Sequence, residues 1–530
     1  GGPTQTLALS SGSFADGAIP YSAGSNTFNN CPALDQRSYY RAFTGSRDIG
    51  AYELDGAAPA NGDYISTTTG NWSAVGTWDT YNATTGIWGD PSAKPTSSNN
   101  VVVAANHTVT VDGTDTVNAQ TVSQGGILAV GANTLTASGA ADIDGTLSIS
   151  TGTTTVTGAS DIDGTLSITD TGTYDANGTF DASNGAVTFT GAGNLKLAST
   201  VSSLGTLTAG SSTVTYDGSS GQTIPETNTF YNLNVNNSGG VTVNADATVN
   251  NGLGLTNGLV TLGDNDLTLG ASATIIGTPS ATNMIVTNGT GVLKKMFSGT
   301  GSFTFPVGDN TGTAEYSPAT LNFASGTFAG GAYAAVNTTN TKQPNNTSTT
   351  DYLNRYWSVT QSGISSFSCD TTFNYLAADV AGTEADIYGG QYKDSAWTVL
   401  NAVDAANNKF QATVTGFSDF TGVEVSTPTT QASSIGFSSV VQTQMAVSWT
   451  RGNGDKVLVV AHQGSAVDSN PVNGTTYTAN AAFGSGTQIG TGNYVVYKGT
   501  GTSVIVTGLT ANTAYHLRAY EFNDGGVEER

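Results

Sequence analysis

The chain has 530 residues, with 16 Lys plus Arg against 39 Asp plus Glu and a formal net charge of −23. That length asks for several modules of about 100 to 200 residues, and the acidic balance excludes a nucleic-acid partner or an anionic membrane surface, both of which need a basic footprint. Only 10% of residues are charged, while 68 are Gly and 37% are hydrophobic, which describes a turn-rich folded protein rather than a disordered one.

Of the two cysteines, Cys31 stands near the start and Cys369 in what reads as a different module. Neither lies in a CxxC or Cys/His cluster, so no disulfide framework is expected. No run of about 18 apolar residues occurs and no charged-then-apolar leader follows Gly1, so no transmembrane segment is expected, and the chain reads as a mature product or an excised piece. Trp72, Trp78, Trp88, Tyr64 and Tyr81 then cluster ahead of residue 101. Two roles fit them as exposed aromatics: contact with a glycan through their ring faces, or a plug over the end of a solenoid, whose apolar cross-section must be covered.

Strand alternation takes over at Val101–Val103 and persists as short Thr/Val/Leu runs separated by Gly and Asn, so the expected fold class is all-β. Leu128, Leu147 and Leu166 recur at steps of 19, echoed by Ile149 and Ile168 and by Gly139 and Gly158. A fixed period of this size in such a sequence predicts a parallel β-solenoid, one coil stacked on the next. Period-two reading points Ile143, Leu147 and Ile149 inward and Asp142 and Asp144 outward, with Asp161 and Asp163 one coil later and Asp175 and Asn177 in a shortened third coil. Carboxylates stacked about 4.8 Å apart repel. The expectations are a calcium site at Asp142, Asp144, Asp161 and Asp163, or plain solvated Asp-Gly turns.

The solenoid is read as ending near Ile276, and a change of composition at "LKKMFSGTGSFTFPVGD", from Leu293, marks a new module of alternating strands, read as a β-sandwich. "STPTTQASS", from Ser426, reads as a linker. The three histidines, His107, His462 and His516, are read as lying in separate modules, so neither a catalytic triad nor a zinc site is expected. His107 is expected to cap the first coil. The Asp ladder has no Arg, Lys or His beside it, so it does not resemble the acid/base pair of a glycosidase or lyase.

Several stretches resemble modules of secreted Bacteroidota proteins. "CPALDQRSYYRAFTGSRDIGAYE", from Cys31, resembles the closing coils of a right-handed parallel β-helix domain, with Arg47 where that family has a second cysteine. "NWSAVGTWD", from Asn71, is similar to the first segment of β-solenoids in such surface proteins. "FTFPVGD" followed by Tyr316, Pro318 and "RYWSVTQSG" resembles a β-sandwich module of cargo of the type IX secretion system. "MAVSWT" with Trp449, then Leu509, Tyr515 and Tyr520, resembles a fibronectin type III domain lacking its final strand. That departure predicts an open sheet edge beside Tyr520, covered by continuing residues or by a strand from a neighbouring subunit. "DTV", "DTT" and "DSA" match a short O-glycosylation pattern of these bacteria, which implies Thr116, Thr371 and Ser395 as acceptors.

The expected organisation is 1–56 terminal β-helix coils, 57–100 linker or cap, 101–290 solenoid, 291–425 β-sandwich, 426–434 linker and 435–530 the incomplete fibronectin-like domain. The function expected is that of a non-catalytic extracellular adhesin, stalk or filament subunit at a bacterial cell surface. Its expected partners are other surface proteins, glycans or copies of itself in a fibre, and calcium is the one cofactor considered. The alternative is a carbohydrate-binding or carbohydrate-processing module of a larger secreted enzyme.

Overall fold

A computed structural model describes residues 59–425, 427–472 and 475–523, together with the backbone pairing of Ile19–Pro20 with Ser46–Arg47. Cys31 and the other side chains of the β-helix-like opening lie outside the described residues. The fold is all-β, a parallel solenoid followed by antiparallel sheets, in two units, Gly1–Met296 and Phe297–Arg530.

The 19-residue period becomes a coil of three short strands. Ala141–Ile143, Thr146–Ile149 and Thr153–Val156 make one coil, and each lies parallel and in register on Ser160–Ile162, Thr165–Ile168 and Thr173–Ala176 of the next. Parallel in-register stacking sets like on like, so Leu128, Leu147, Leu166 and Val187 form one fully buried ladder. About ten turns are built this way. The corners demand glycine: a Cβ on Gly164 would sit 2.1 Å from the Gly145 carbonyl oxygen below it.

The composition change at Leu293 does not begin the second unit. Leu293–Met296 is still a parallel rung, with Leu293 on Leu267 and Lys295 on Leu269, and the boundary falls after Met296. Alternation explains why: Leu293 and Lys295 share the inward parity, and both are buried.

An inward ionisable group stands at each end of the tube. In the first coil Asp115 occupies the position that Leu135 fills one rung later, and Lys94 from the preceding segment pairs with it. In the last rung Lys295 donates from Nζ to the carbonyls of Gly270 (2.5 Å) and Ala271 (2.7 Å), and burial pushes its pKa down to about 8. Buried charges of this kind must be tied to partners, so they mark where the apolar stack stops.

The second unit opens with a module built on two long antiparallel strands, Ala319–Thr339 and Tyr356–Asn374. Trp357 and Phe373 belong to the same strand, yet their rings are 5.3 Å apart. Sixteen residues of straight strand would span roughly 50 Å, so the strand doubles over, and register shifts between Phe323 and Tyr333 together with positive φ at Gly363 and Ser366 make the bend. Phe410 and Phe420 complete the buried aromatic core. The terminal module pairs Ser433–Val441, Gln444–Thr450 and Ser503–Thr507 in one sheet. Gln488–Ile489, Asn493–Gly499, Lys456–Gln463 and Tyr515–Phe522 form the other, in that order. Trp449, Val447, Val459 and Val506 fill the space between them.

Candidate functional site

The carboxylate ladder exists in altered form. Asp142 pairs with Asp161, and Asp161 with Asp181, on three successive parallel rungs. The third rung is therefore Asp181 rather than Asp175, which lies on another sheet beside Thr155 and Lys196. The reason is an extra residue in the coil, not a missing one: Asp161 and Asp181 are 20 residues apart, and the turn just before Thr173 contains Asp170 at φ +47°. Asp144 and Asp163 also differ from expectation, since both are buried instead of facing outward. Strand alternation stops at Ile143, and the amides of Asp144 and Gly145 both donate to the Val122 carbonyl, turning the chain through a corner. The carboxylate of Asp163 accepts from Asn184 Nδ2 at 3.2 Å.

Desolvation, followed by the charges of Asp163, Asp181 and Asp144, pushes the pKa of Asp161 up to about 6. Among the described residues no group of three or more His, Cys, Asp or Glu side chains is arranged to hold a metal ion. The repulsion has a testable consequence through proton linkage. A folded-state pKa above the ordinary carboxylate value means that the folded chain binds the proton more tightly. The contribution of Asp161 is then most favourable below about pH 4 and falls as the pH rises through about 6. Asp161→Asn is expected to raise the stability of the solenoid at pH 7, by about 1 kcal/mol or less because the side chain is half-exposed, and to change little at pH 4. Calorimetric melting of both proteins across pH 4 to 8 checks it.

The aromatic cluster is mostly interior. Trp72 and Trp78 are fully buried, with rings 5.1 Å apart edge to face, and Trp78 Nε1 donates to the Trp72 carbonyl at 2.9 Å. The backbone around them extends the solenoid: Gly70–Asn71 lies parallel to Thr108–Thr110, and Tyr64–Ser66 lies parallel to Val101–Val103. Burial beside the first coil is what the plug expectation requires, and it leaves neither ring a free face for the glycan contact expected of them. Trp88 is half-buried against Tyr81, 5.3 Å away, on a hairpin. His107 Nδ1 lies 2.9 Å from Ser66 Oγ and 3.0 Å from its carbonyl oxygen, joining cap strand to first coil.

The other histidines are not in separate modules. His462 and His516 stand directly opposite each other on adjacent antiparallel strands. Of the glycosylation candidates, Thr116 is exposed on its strand, and Ser395 is exposed at a hairpin tip where Asp394 and Ser395 have φ of +51° and +63°. Thr371 is a correction: it is 1% exposed and its Oγ1 donates to the Ala412 carbonyl on the adjacent strand at 2.9 Å, because it shares the inward parity of Cys369 and Phe373.

Sequence reading missed the most elaborate polar site. Arg355 is fully buried and donates from Nε to Asp379 (2.8 Å), from Nη1 to Asp309 (2.7 Å) and from Nη2 to Glu315. Burial alone would lower its pKa, but the hydrogen bonds and charges of Asp379 and Asp309 outweigh this and raise it. Each of the three guanidinium nitrogens donates to a carboxylate within the module, so the arrangement ties together chain segments that lie far apart in sequence.

No family model, curated protein or solved structure matches the chain.

Proposed function

We propose that this chain is a non-catalytic structural and adhesive segment of an extracellular bacterial surface protein, acting as an adhesin, stalk or filament subunit. The observation that carries the reading is the solenoid of about ten turns with its cap and inward end charges, in series with sandwich modules whose buried ions pair internally. Such a build spends its polar chemistry on holding a rigid element together. The fibronectin type III reading of the terminal module is supported by its three-plus-four sheets and by Tyr515, whose hydroxyl accepts from the Thr510 amide at 3.0 Å in the manner of a tyrosine corner. Export by the type IX route and O-linked glycans at Thr116 and Ser395 belong to the same proposal. Calcium at the ladder gains no support from side-chain placement; it predicts a melting temperature lowered by EDTA. No helix among the described residues is long and apolar enough to cross a membrane.

The alternative, a carbohydrate-binding or carbohydrate-processing module, draws on the Tyr81 and Trp88 pair, whose hairpin is largely exposed and could stack on a sugar. Electron microscopy of native material together with a polysaccharide panel separates the two. The structural and adhesive reading expects fibres or stalks and no release of reducing or unsaturated ends. Turnover of any polysaccharide would overturn it.

A further inference from the structure

The strand Tyr356–Asn374 doubles over near Gly363 and Ser366, so its first residues pair with Asp419–Glu424 and its last with Lys409–Val414. The segment joining those two partners, residues 415–418, must make the same crossing. The Val359 amide ties it to the bend by donating to the Ser418 carbonyl at 2.9 Å. Between the two crossings lies a groove of about 490 Å³, within the range of small-molecule sites, about 300–1,000 Å³. The module is described without a break from residue 297 to 425, and its own chain leaves this groove open.

The floor of the groove is apolar. Val359, Ile364 and Phe367 are buried, and Phe417, half-buried, tilts over Phe367 with ring centres 4.8 Å apart. The rim is polar: Ser365, Ser366 and Thr415 are exposed, and Gln361, whose Oε1 accepts from the Ile364 amide at 3.0 Å, keeps Nε2 as a donor without a partner among the described residues. The charge is a single cation. Acidic residues outnumber basic ones 39 to 16 in the chain, yet none lines this groove, and exposed Lys393 forms no ion pair with a described carboxylate. Gly416 makes room for it. A Cβ there would stand 2.5 Å from Lys393 Nζ, and Gln391 Nε2 donates to the Gly416 carbonyl at 2.8 Å, fixing the backbone on which the amine lies.

An aromatic floor, a hydroxyl and amide rim and one unpaired cation together match a ligand with an apolar ring face, several hydroxyls and one carboxylate. We propose that this groove binds an acidic sugar, a uronic-acid unit of a polysaccharide, with its carboxylate on Lys393, its hydroxyls on Ser365, Ser366 and Gln361, and the C–H face of its ring on Phe417. A bare carboxylate would engage the amine and leave floor and rim unused. The assignment gives the adhesive reading a ligand class and rests on it for the sugar's being part of a surface glycan. Binding is tested on soluble sugar, so a chain that binds but builds no stalk or fibre would fail that reading alone. Trigalacturonate and its methyl ester are titrated into the full chain by calorimetry. The acid is expected to bind, and the uncharged ester about tenfold more weakly. Lys393→Gln should bring the acid down to the level of the ester and leave the ester unchanged; Lys393 is exposed, so the variant keeps its fold. Ser366→Gly should weaken both ligands about threefold to tenfold, the loss of one hydrogen bond. Its melting temperature should hold or rise, since glycine takes the φ of +51° at Ser366 more readily. No detectable binding of the acid, equal affinities for acid and ester, or an unchanged affinity in either variant would overturn the proposal. So would sodium acetate that displaces trigalacturonate at equal concentration, because a carboxylate alone would then account for the recognition.

Discussion

Replacing Arg355 by methionine is expected to destabilise the module that opens the second unit by about 3–5 kcal/mol, the cost of breaking a buried ion cluster by removing one partner. Asp309 and Asp379 are 3% and 2% exposed at their side chains, and Glu315 is 16% exposed. Without the guanidinium these three carboxylates face one another out of water. Burial already raises the pKa of Glu315 against the lowering effect of the Arg355 charge, so removing that charge pushes it further up. The folded variant then binds protons more tightly than its unfolded chain, and its deficit is expected to be greatest at pH 7 and to shrink toward pH 4. Arg355→Lys keeps one charge but cannot address three carboxylates from three separate nitrogens, so an intermediate loss is expected. Guanidinium denaturation followed by tryptophan fluorescence reads both, since Trp357, two residues on, is buried and donates from Nε1 to the Ser317 carbonyl at 2.9 Å. An unchanged midpoint for the methionine variant would show that the cluster is only tolerated.

The reason Arg355 escaped a sequence reading is distance along the chain. Its partners lie 46, 40 and 24 residues away, and no local spacing links them. His462 and His516 are brought together in the same way, by strand pairing that periodicity does not reveal. What periodicity does reveal is the solenoid, because a parallel rung forces each residue onto its equivalent in the next coil; Leu147 on Leu166 is legible from the repeat alone. The errors there are errors of phase. One residue inserted near Asp170 replaced Asp175 by Asp181 in the ladder, and a corner at Asp144 ended the alternation on which its outward placement rested. Lys295 was open to the same logic, sharing parity with Leu293, but the run of basic and aromatic residues suggested a new module instead. Composition marks a boundary less reliably than face does.

Truncating the cap is expected to act on the first unit as strongly. Trp72 and Trp78 are 0% and 1% exposed, and Tyr64 packs edge-on against Trp78 at 6.3 Å. Removing a buried tryptophan costs about 3–5 kcal/mol, so Trp78→Ala should lower the thermal transition of the solenoid. Trp72→Ala should do the same, because the Trp72 amide also holds the Thr110 carbonyl at 2.7 Å and loss of packing there loosens the strand on the first coil. A second effect follows from geometry. Uncovering the first rung exposes the unpaired groups of Val101–Val103 and Thr108–Thr110 beside the apolar interior, an edge that invites pairing between copies. Both variants are therefore expected to scatter light in a concentration-dependent way below their melting temperature. Trp88→Ala, on the exposed hairpin, should cost about 1 kcal/mol or less and leave the scattering unchanged. This contrast discriminates between the two roles of the aromatics. A plug predicts losses at Trp72 and Trp78 whatever sugars are present, whereas a sugar platform at the hairpin predicts loss of glycan binding at Trp88 with stability intact. Soluble, monomeric Trp72→Ala protein with an unchanged melting temperature would remove the plug from the account.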